Sequence, residues 1–296
     1  MLDQIAAYRL MDLGQSGDCL IAFRPPAYVL RHPNKVLWFI HHIRAYYDLW
    51  GQPHSPQPTP ENNALRHALM DLDTRAVGEA SKVFTNSKVV SDRLAAFNGL
   101  SSQPLYPPIY KPERFRCDGY GDEIFVVCRI EPHKRQVLLI EAMAHVKTKV
   151  RLRLCGRCSS PAYAKALSDL VSELGVADRV IFEDRWISEE EKADMLAGAL
   201  AAAYLPQDED SYGYPSLEAA HAQKCVITTT DSGGVLELIE HDRNGLVAEP
   251  NPKALAQAMD LLYRDRERAK LLGKANFHRI EDLKIDWNHV VSALTE

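Results

Sequence analysis

The sequence predicts an α/β protein of two domains, each built on a parallel sheet. Three observations carry that reading. Short apolar runs alternate with longer amphipathic ones, the pattern of parallel strands joined by helical crossovers. The 296 residues fit about two domains at roughly 150 residues each, with chain enough for two buried cores. A composition of 46% hydrophobic and 25% charged residues is that of an ordinary globular protein, so extended disorder is excluded.

Strands are expected at 19–23, 36–40, 83–86, 124–128, 151–155, 179–183, 201–205, 225–229 and 245–247. Helical periodicity marks 137–146, 162–174, 189–199, 216–222, 234–239 and 252–264, several opened by Ser, Asp or Pro. Two stretches break the rhythm. Residues 51–63 hold Pro53, Pro56, Pro58 and Pro60 with almost no apolar side chains, which predicts an exposed loop or lid. Residues 104–122 string together Pro107, Pro108, Pro112, Gly119 and Gly121, and the domain boundary is placed there. The expected domains are 1–115 and 116–280, with a terminal helix in 281–296 crossing back to the first. Trp287 either anchors that crossing or is an ordinary packing residue at the chain end.

Charge and composition exclude several functions. With 35 basic against 40 acidic side chains the net charge is −5, which argues against a general nucleic-acid binder. The slight basic excess of residues 1–115 supports no more than weak contact with an anionic partner. No apolar run approaches the ~20 residues that span a bilayer, and Asp3, Arg9 and Asp12 interrupt the place of a signal peptide. A cytoplasmic protein is expected, with at most peripheral contact at the inner face of a membrane. Six scattered cysteines, Cys19, Cys117, Cys128, Cys155, Cys158 and Cys225, read as reduced thiols rather than a disulfide framework.

The most informative segment is Asp210-Ser-Tyr-Gly-Tyr-Pro-Ser-Leu-Glu218, set between an apolar run and a short helix. Gly213 lets the backbone approach a ligand, Pro215 suits a helix start, and the amides at that start form an anion site. Glu218 falls in the first turn, where it either accepts hydrogen bonds from sugar hydroxyls or complements the helix dipole. Asp208-Glu209-Asp210 has the look of an Asp-x-Asp metal motif, and Cys155-Gly-Arg-Cys158 that of a redox pair or half a zinc site. Both are discounted, and no metal is expected.

This segment resembles the retaining glycosyltransferases of family 4, whose motif has the form E-G-F-G-L-P-L-L-E. Asp210 stands where the first Glu belongs and Glu218 where the second does. The resemblance continues in Ser232-Gly-Gly-Val-Leu-Glu237 and Asn244-Gly-Leu-Val247. Upstream it takes in Cys128-Arg-Ile-Glu-Pro-His-Lys134, Glu141-Ala142 and the strand before Gly156, covering residues 124–263. It implies a GT-B type fold, two Rossmann-like domains facing a cleft, with the N-terminal one reduced.

The resemblance also implies roles. Arg129 and Lys134 would hold the diphosphate of a nucleotide sugar as it leaves, work suited to a guanidinium fork and an ammonium. Gly213, Tyr214, Pro215, Ser216, Leu217 and Glu218 would bind the donor, with Glu218 on the ribose hydroxyls. Asp210 would face the donor sugar, one methylene short of the usual Glu; Glu209 could replace it only through a shift of register. Residues 185–188 would supply backbone contacts to the base.

In the N-terminal part, Trp38-Phe-Ile-His41-His42-Ile-Arg44-Ala-Tyr-Tyr47-Asp48 follows an apolar strand, where α/β sheets bind ligands. By resemblance His41 would lie near the donor sugar; a core or surface histidine is the alternative. Arg44, Tyr47 and Asp48 form the accompanying cluster, with Arg44 a candidate for acceptor or phosphate contacts. Asn86-Ser87 would shape the interface.

The expected reaction moves a sugar from a nucleotide diphosphate sugar, a substrate rather than a cofactor, to a glycan, lipid-linked or small-molecule acceptor with retention at the anomeric carbon. No cofactor, covalent nucleophile or dedicated base is expected. Family members begin with further β/α units ahead of the strand at 19–23. The short N-terminal domain therefore reads as a reduced enzyme, a chain completed by a second polypeptide, or a truncated product. A nucleotide-sugar-binding subunit without independent catalysis is the alternative function, and a sugar-nucleotide epimerase a third.

Overall fold

The computed structural model describes residues 2–52 and 55–296; Pro53 of the proline-rich stretch lies outside them. The chain divides into two units, one of residues 1–108 and 285–296 and one of residues 109–284.

In the first unit β1 (Leu20–Ala22), β2 (Lys35–Phe39), β3 (Lys82–Thr85) and β4 (Gln103–Pro104) form a sheet in that order, all parallel. Helices α1 (Leu2–Leu10), α2 (Pro60–Gly78), α3 (Lys88–Asn98) and α11 (Trp287–Thr295) belong to it. Alternation along β2 divides the unit's core in two. Leu37 and Phe39 pack with Leu69, Val77 and Leu94 from α2 and α3. Val36 and Trp38 pack with Phe84, Leu105 and, from α11, Val290 and Leu294. Trp287 itself is 47% exposed. The stretch expected as a loop ends in helix: Thr59 caps the Asn62 amide at 3.2 Å and Pro60 occupies the first helical turn.

The second unit carries β5 (Glu123–Val127), β6 (Arg151–Cys155), β7 (Val180–Glu183), β8 (Ala201–Ala203), β9 (Val226–Thr229) and β10 (Gly245–Ala248). They lie in the order β10-β9-β8-β5-β6-β7, all parallel. Helices α4 (Gln136–Met143), α5 (Pro161–Glu173), α6 (Glu189–Gly198), α7 (Tyr214–His221), α8 (Val235–Leu238), α9 (Pro252–Arg264) and α10 (Arg266–Asp282) connect or follow them. Side chains set the helix starts: Ser160, Ser188 and Asn251 each accept from an amide three residues on. The central strands β5, β8 and β9 are buried almost throughout, as a sheet covered on both faces requires, whereas β6 and β7 carry Arg151, Arg153 and Glu183.

Among the described residues no helix is long and apolar enough to cross a membrane. The six cysteines are free thiols. Burial pushes Cys155 up to about 12 and Cys158 up to about 11, far from the range of a reactive thiolate.

Candidate functional site

In the second unit the loops that leave the carboxyl ends of β5, β8 and β9 converge, the usual ligand position of an open α/β sheet. Lys134 closes a 3-10 turn (Pro132–Lys134) after β5 and is only 8% exposed. Its ammonium donates to the Tyr204 hydroxyl at 2.8 Å, lies 5.1 Å from the centre of the Tyr204 ring, and forms an ion pair with Glu209. The Tyr204 hydroxyl in turn donates to Glu209 at 3.0 Å. Burial, followed by the Glu209 charge, pushes the Tyr204 phenol well above its ordinary range, so it remains a donor.

The carboxylate that meets Lys134 is therefore that of Glu209. Asp210 lies half-buried in the same loop. In this loop Asp208 turns with φ 46°, and Glu209 bridges to Gly233, whose φ is 63°. A side chain at Gly233 would come within 2.6 Å of the Glu209 backbone, which explains the Gly-Gly pair of the 232–237 motif.

Arg135 braces these loops. Its guanidinium donates to the Leu205 and Pro206 carbonyls at 2.8 and 3.0 Å, to the Thr229 hydroxyl at 2.7 Å, and in a fork to Asp231 at 2.7 and 2.8 Å. That fork holds the Asp231 carboxyl below its usual range. Arg129, by contrast, is 72% exposed and paired with Glu131 at 2.8 Å, so it stands outside the Lys134 cluster.

Gly213 is the N-cap of α7 with φ 69°, and a Cβ there would run into the Tyr204 ring. Glycine thus lets the helix start sit directly on the tyrosine that holds Lys134. Pro215 is the second helical residue and has no amide hydrogen, and the Ser216 amide turns back to the Gly213 carbonyl at 3.1 Å. The anion-binding capacity of this start is narrower than the sequence implied. It rests on the backbone at Gly213 and Tyr214 and on the Ser216 hydroxyl, a fully buried group without a hydrogen-bond partner among the described residues. Leu217 is wholly buried and Tyr214 is exposed.

Glu218 is buried, with its carboxylate against the Lys192 ammonium of α6 at 2.5 Å. Burial pushes this carboxyl up, and Lys192 opposes that shift. Sequence reasoning missed Lys192, Tyr204, Arg135 and Asp231. Only Arg135 gave any signal, its place next to Lys134.

In the first unit His41 follows β2, half-buried, with Nδ1 2.7 Å from the His42 carbonyl. His42 is the core histidine: 2% exposed, 2.8 Å from Asn98 Oδ1, packed on Phe39 and Tyr47, and held neutral down to about 4 by burial. Arg44 donates to Asp48 at 2.6 and 2.8 Å, and Arg93 pairs with the same carboxylate at 3.5 Å. Tyr47 leaves the expected functional cluster. Its hydroxyl and that of Tyr28 both bond Asp73 at 2.6 Å inside the core, where a carboxylate needs such donors to be tolerated.

Comparison with known proteins adds to this geometry. The family model for glycosyl transferases group 1 matches residues 115–279. A GDP-mannose-dependent alpha-(1-6)-phosphatidylinositol monomannoside mannosyltransferase of Mycobacterium tuberculosis is 29% identical over 222 residues, 68% of this chain and 57% of that protein. The chain thus spans little more than half the length of that relative. An alpha-1,3/1,6-mannosyltransferase (ALG2) of Mus musculus is 30% identical over 118 residues, 40% of this chain and 28% of that one. Among solved structures, Anabaena HepE in complex with UDP superposes with a TM-score of 0.73 at 18% identity, covering 99% of this chain and 82% of that one. Sucrose-phosphate synthase from Thermosynechococcus elongatus gives 0.74 at 18%, covering 99% and 75%. At such identities these structures establish the fold, a GT-B type pair of parallel-sheet units.

Proposed function

The chain belongs to the glycosyl transferases group 1, and from that membership we propose that it transfers a hexosyl group from a nucleotide diphosphate sugar to an acceptor hydroxyl with retention of anomeric configuration. The observation that carries the reading is Lys134, an ammonium 8% exposed at the carboxyl ends of parallel strands and packed through Tyr204 against the start of α7. A cation held there faces a group that gains negative charge, as a departing diphosphate does. The Gly213 and Tyr214 backbone and the Ser216 hydroxyl complete the phosphate contacts, Glu218 takes the ribose diol, and Arg129 closes on the phosphates from the surface. Positive charge fixed in the protein makes the reaction metal-independent in this reading.

In the reaction the C1–oxygen bond to the β-phosphate breaks and the acceptor oxygen bonds to C1 on the same face. The acceptor proton passes to the leaving phosphate, so no dedicated base is needed. Charge develops on the leaving oxygen in an oxocarbenium-like transition state, where Lys134 acts. Asp210 and Glu209 both lie in the loop that would border the donor sugar.

The mycobacterial relative is named for GDP-mannose and a phosphatidylinositol mannoside, and we take GDP-mannose as the donor and a lipid-linked or glycan hydroxyl as the acceptor class. The purified chain is incubated with GDP-mannose, or with UDP-glucose, and a mixed panel of mannosides and lipid-linked acceptors. The expected result is GDP release together with an α-linked product by anomeric NMR. A β-linked product overturns retention, turnover of UDP-glucose alone overturns the donor, and no glycosidic product with either donor overturns the enzymatic reading.

A further inference from the structure

Lys192 lies on α6, far from the α7 motif in sequence, yet its ammonium touches the most deeply buried carboxylate of the site. It donates to Glu218 Oε1 at 2.5 Å and to Glu189 Oε1 at 3.0 Å, and lies 5.9 Å from the centre of the Phe115 ring. The two side chains are 11% and 10% exposed. Water therefore does little to stabilise either charge, and each is the other's main counter-ion.

We propose that Lys192 is a positioning residue for nucleotide binding: its ammonium clamps one oxygen of the buried Glu218 carboxylate and leaves the other to accept hydrogen bonds from the ribose diol. The inference rests on the reading of Glu218 as the ribose ligand. An ionised carboxylate accepts at both oxygens, whereas the neutral acid carries a proton that competes with the diol.

Among the described residues, Lys192, Arg114, Glu189 and Tyr214 act electrostatically on the Glu218 carboxylate. Lys192 and Arg114, the latter from the 3-10 turn Pro112–Arg114, favour the ionised form; Glu189 of α6 opposes it. Tyr214, at the start of α7, interacts with it as a phenol raised by burial. Burial alone drives Glu218 toward the acid, so losing the Lys192 charge moves its titration upward. The unpaired carboxyl then takes up a proton more readily at the acid end of the pH range and regains its charge as the pH rises.

The test is GDP binding by calorimetry at about pH 6, 7 and 8.5, each variant expressed as a ratio to the wild type at the same pH so that titration of the nucleotide cancels. UDP is measured alongside, and the tighter ligand is followed. Lys192→Gln keeps a donor on a similar stem and removes the charge. It is expected to bind about tenfold more weakly near pH 6 and within about threefold of wild type near pH 8.5. Lys192→Arg is expected to follow the wild type. Glu218→Gln is expected to be weak at every pH, with no further loss when Lys192→Gln is added.

A loss of equal size at all pH values, or no loss, in a folded Lys192→Gln protein overturns the role of Lys192. Wild-type affinity in Glu218→Gln overturns the ribose reading beneath it, a separate outcome. Should Lys192→Gln fail to fold, Lys192→Met, uncharged on a similar stem, is measured in its place: a loss near pH 6 that recovers near pH 8.5 supports the role, and an equal loss at all pH values, or no loss, overturns it.

Discussion

The role proposed for Lys134 in the reaction adds to its part in holding the loops of the second unit. Its charge is matched by Glu209 and the Tyr204 hydroxyl, so much of its electrostatic field is already neutralised before a donor arrives. An interaction that is partly spent in the ground state and fully engaged only as the leaving group gains charge changes kcat more than binding. Lys134→Ala is accordingly expected to lower kcat by about 10²–10³ while the donor Kd changes by less than about tenfold. Steady-state kinetics with calorimetry on the same preparation checks this; a loss confined to KM would remove Lys134 from the transition state. Lys134 and Glu218 stood out in the sequence because the residues around them resemble the family's motifs. The Lys134–Glu209 ion pair was not legible, because sequence carries no trace of a loop whose backbone turns at Asp208 with φ 46°. Lys192 was illegible for a plainer reason: in an Glu-rich helix start, Glu189-Glu-Glu-Lys192, a lysine reads as a solvated partner of its own helix.

At the scale of elements, the packing of the α7 start on Tyr204 depends on one glycine. Gly213 combines a positive φ with contact against the Tyr204 ring, and a Cβ there must displace the ring or the helix start. Gly213→Ala is expected to cost about 2–4 kcal/mol, from backbone strain and overpacking together. Hydrogen exchange should rise in α7 and in residues 204–213 ahead of the other elements of the second unit. An unchanged melting temperature with unchanged exchange would mean that the tyrosine moves aside freely. Most strands of both sheets were legible because buried parallel strands are short, continuous apolar runs. The exceptions are instructive. β4 is two residues long, Gln103–Pro104, and ends in a proline, so it has neither period nor propensity to announce it. α2 begins at Pro60 inside a proline-rich run; its start signal, Thr59 before a proline, was hidden among prolines that signal a loop.

For the whole molecule, the chain order and the spatial order differ. The last residues belong with the first unit, although the second unit separates them in sequence. Val290 and Leu294 pack with Val36, Trp38, Phe84 and Leu105, covering the face of the first sheet that α2 and α3 leave alone. The main apolar core of the second unit is made of residues from Ile124 to Leu272 and takes nothing from α11. Ending the chain after Lys284 should therefore weaken one unit and spare the other. Loss of the Val290 and Leu294 side chains alone forfeits about 3–6 kcal/mol from the first unit, a large part of the stability of a small unit, and the buried Ile285 is removed as well. Trp38, 4% exposed and donating its indole N–H to the Leu105 carbonyl at 2.9 Å, should then shift its fluorescence to the red, while the transition of the second unit stays in place. Leu294→Ala gives a milder form of the same experiment, with an expected cost of about 2–3 kcal/mol. Equal loss in both units would show that the two cores unfold as one, and the terminal helix would then be a structural element of the entire chain rather than of the first unit.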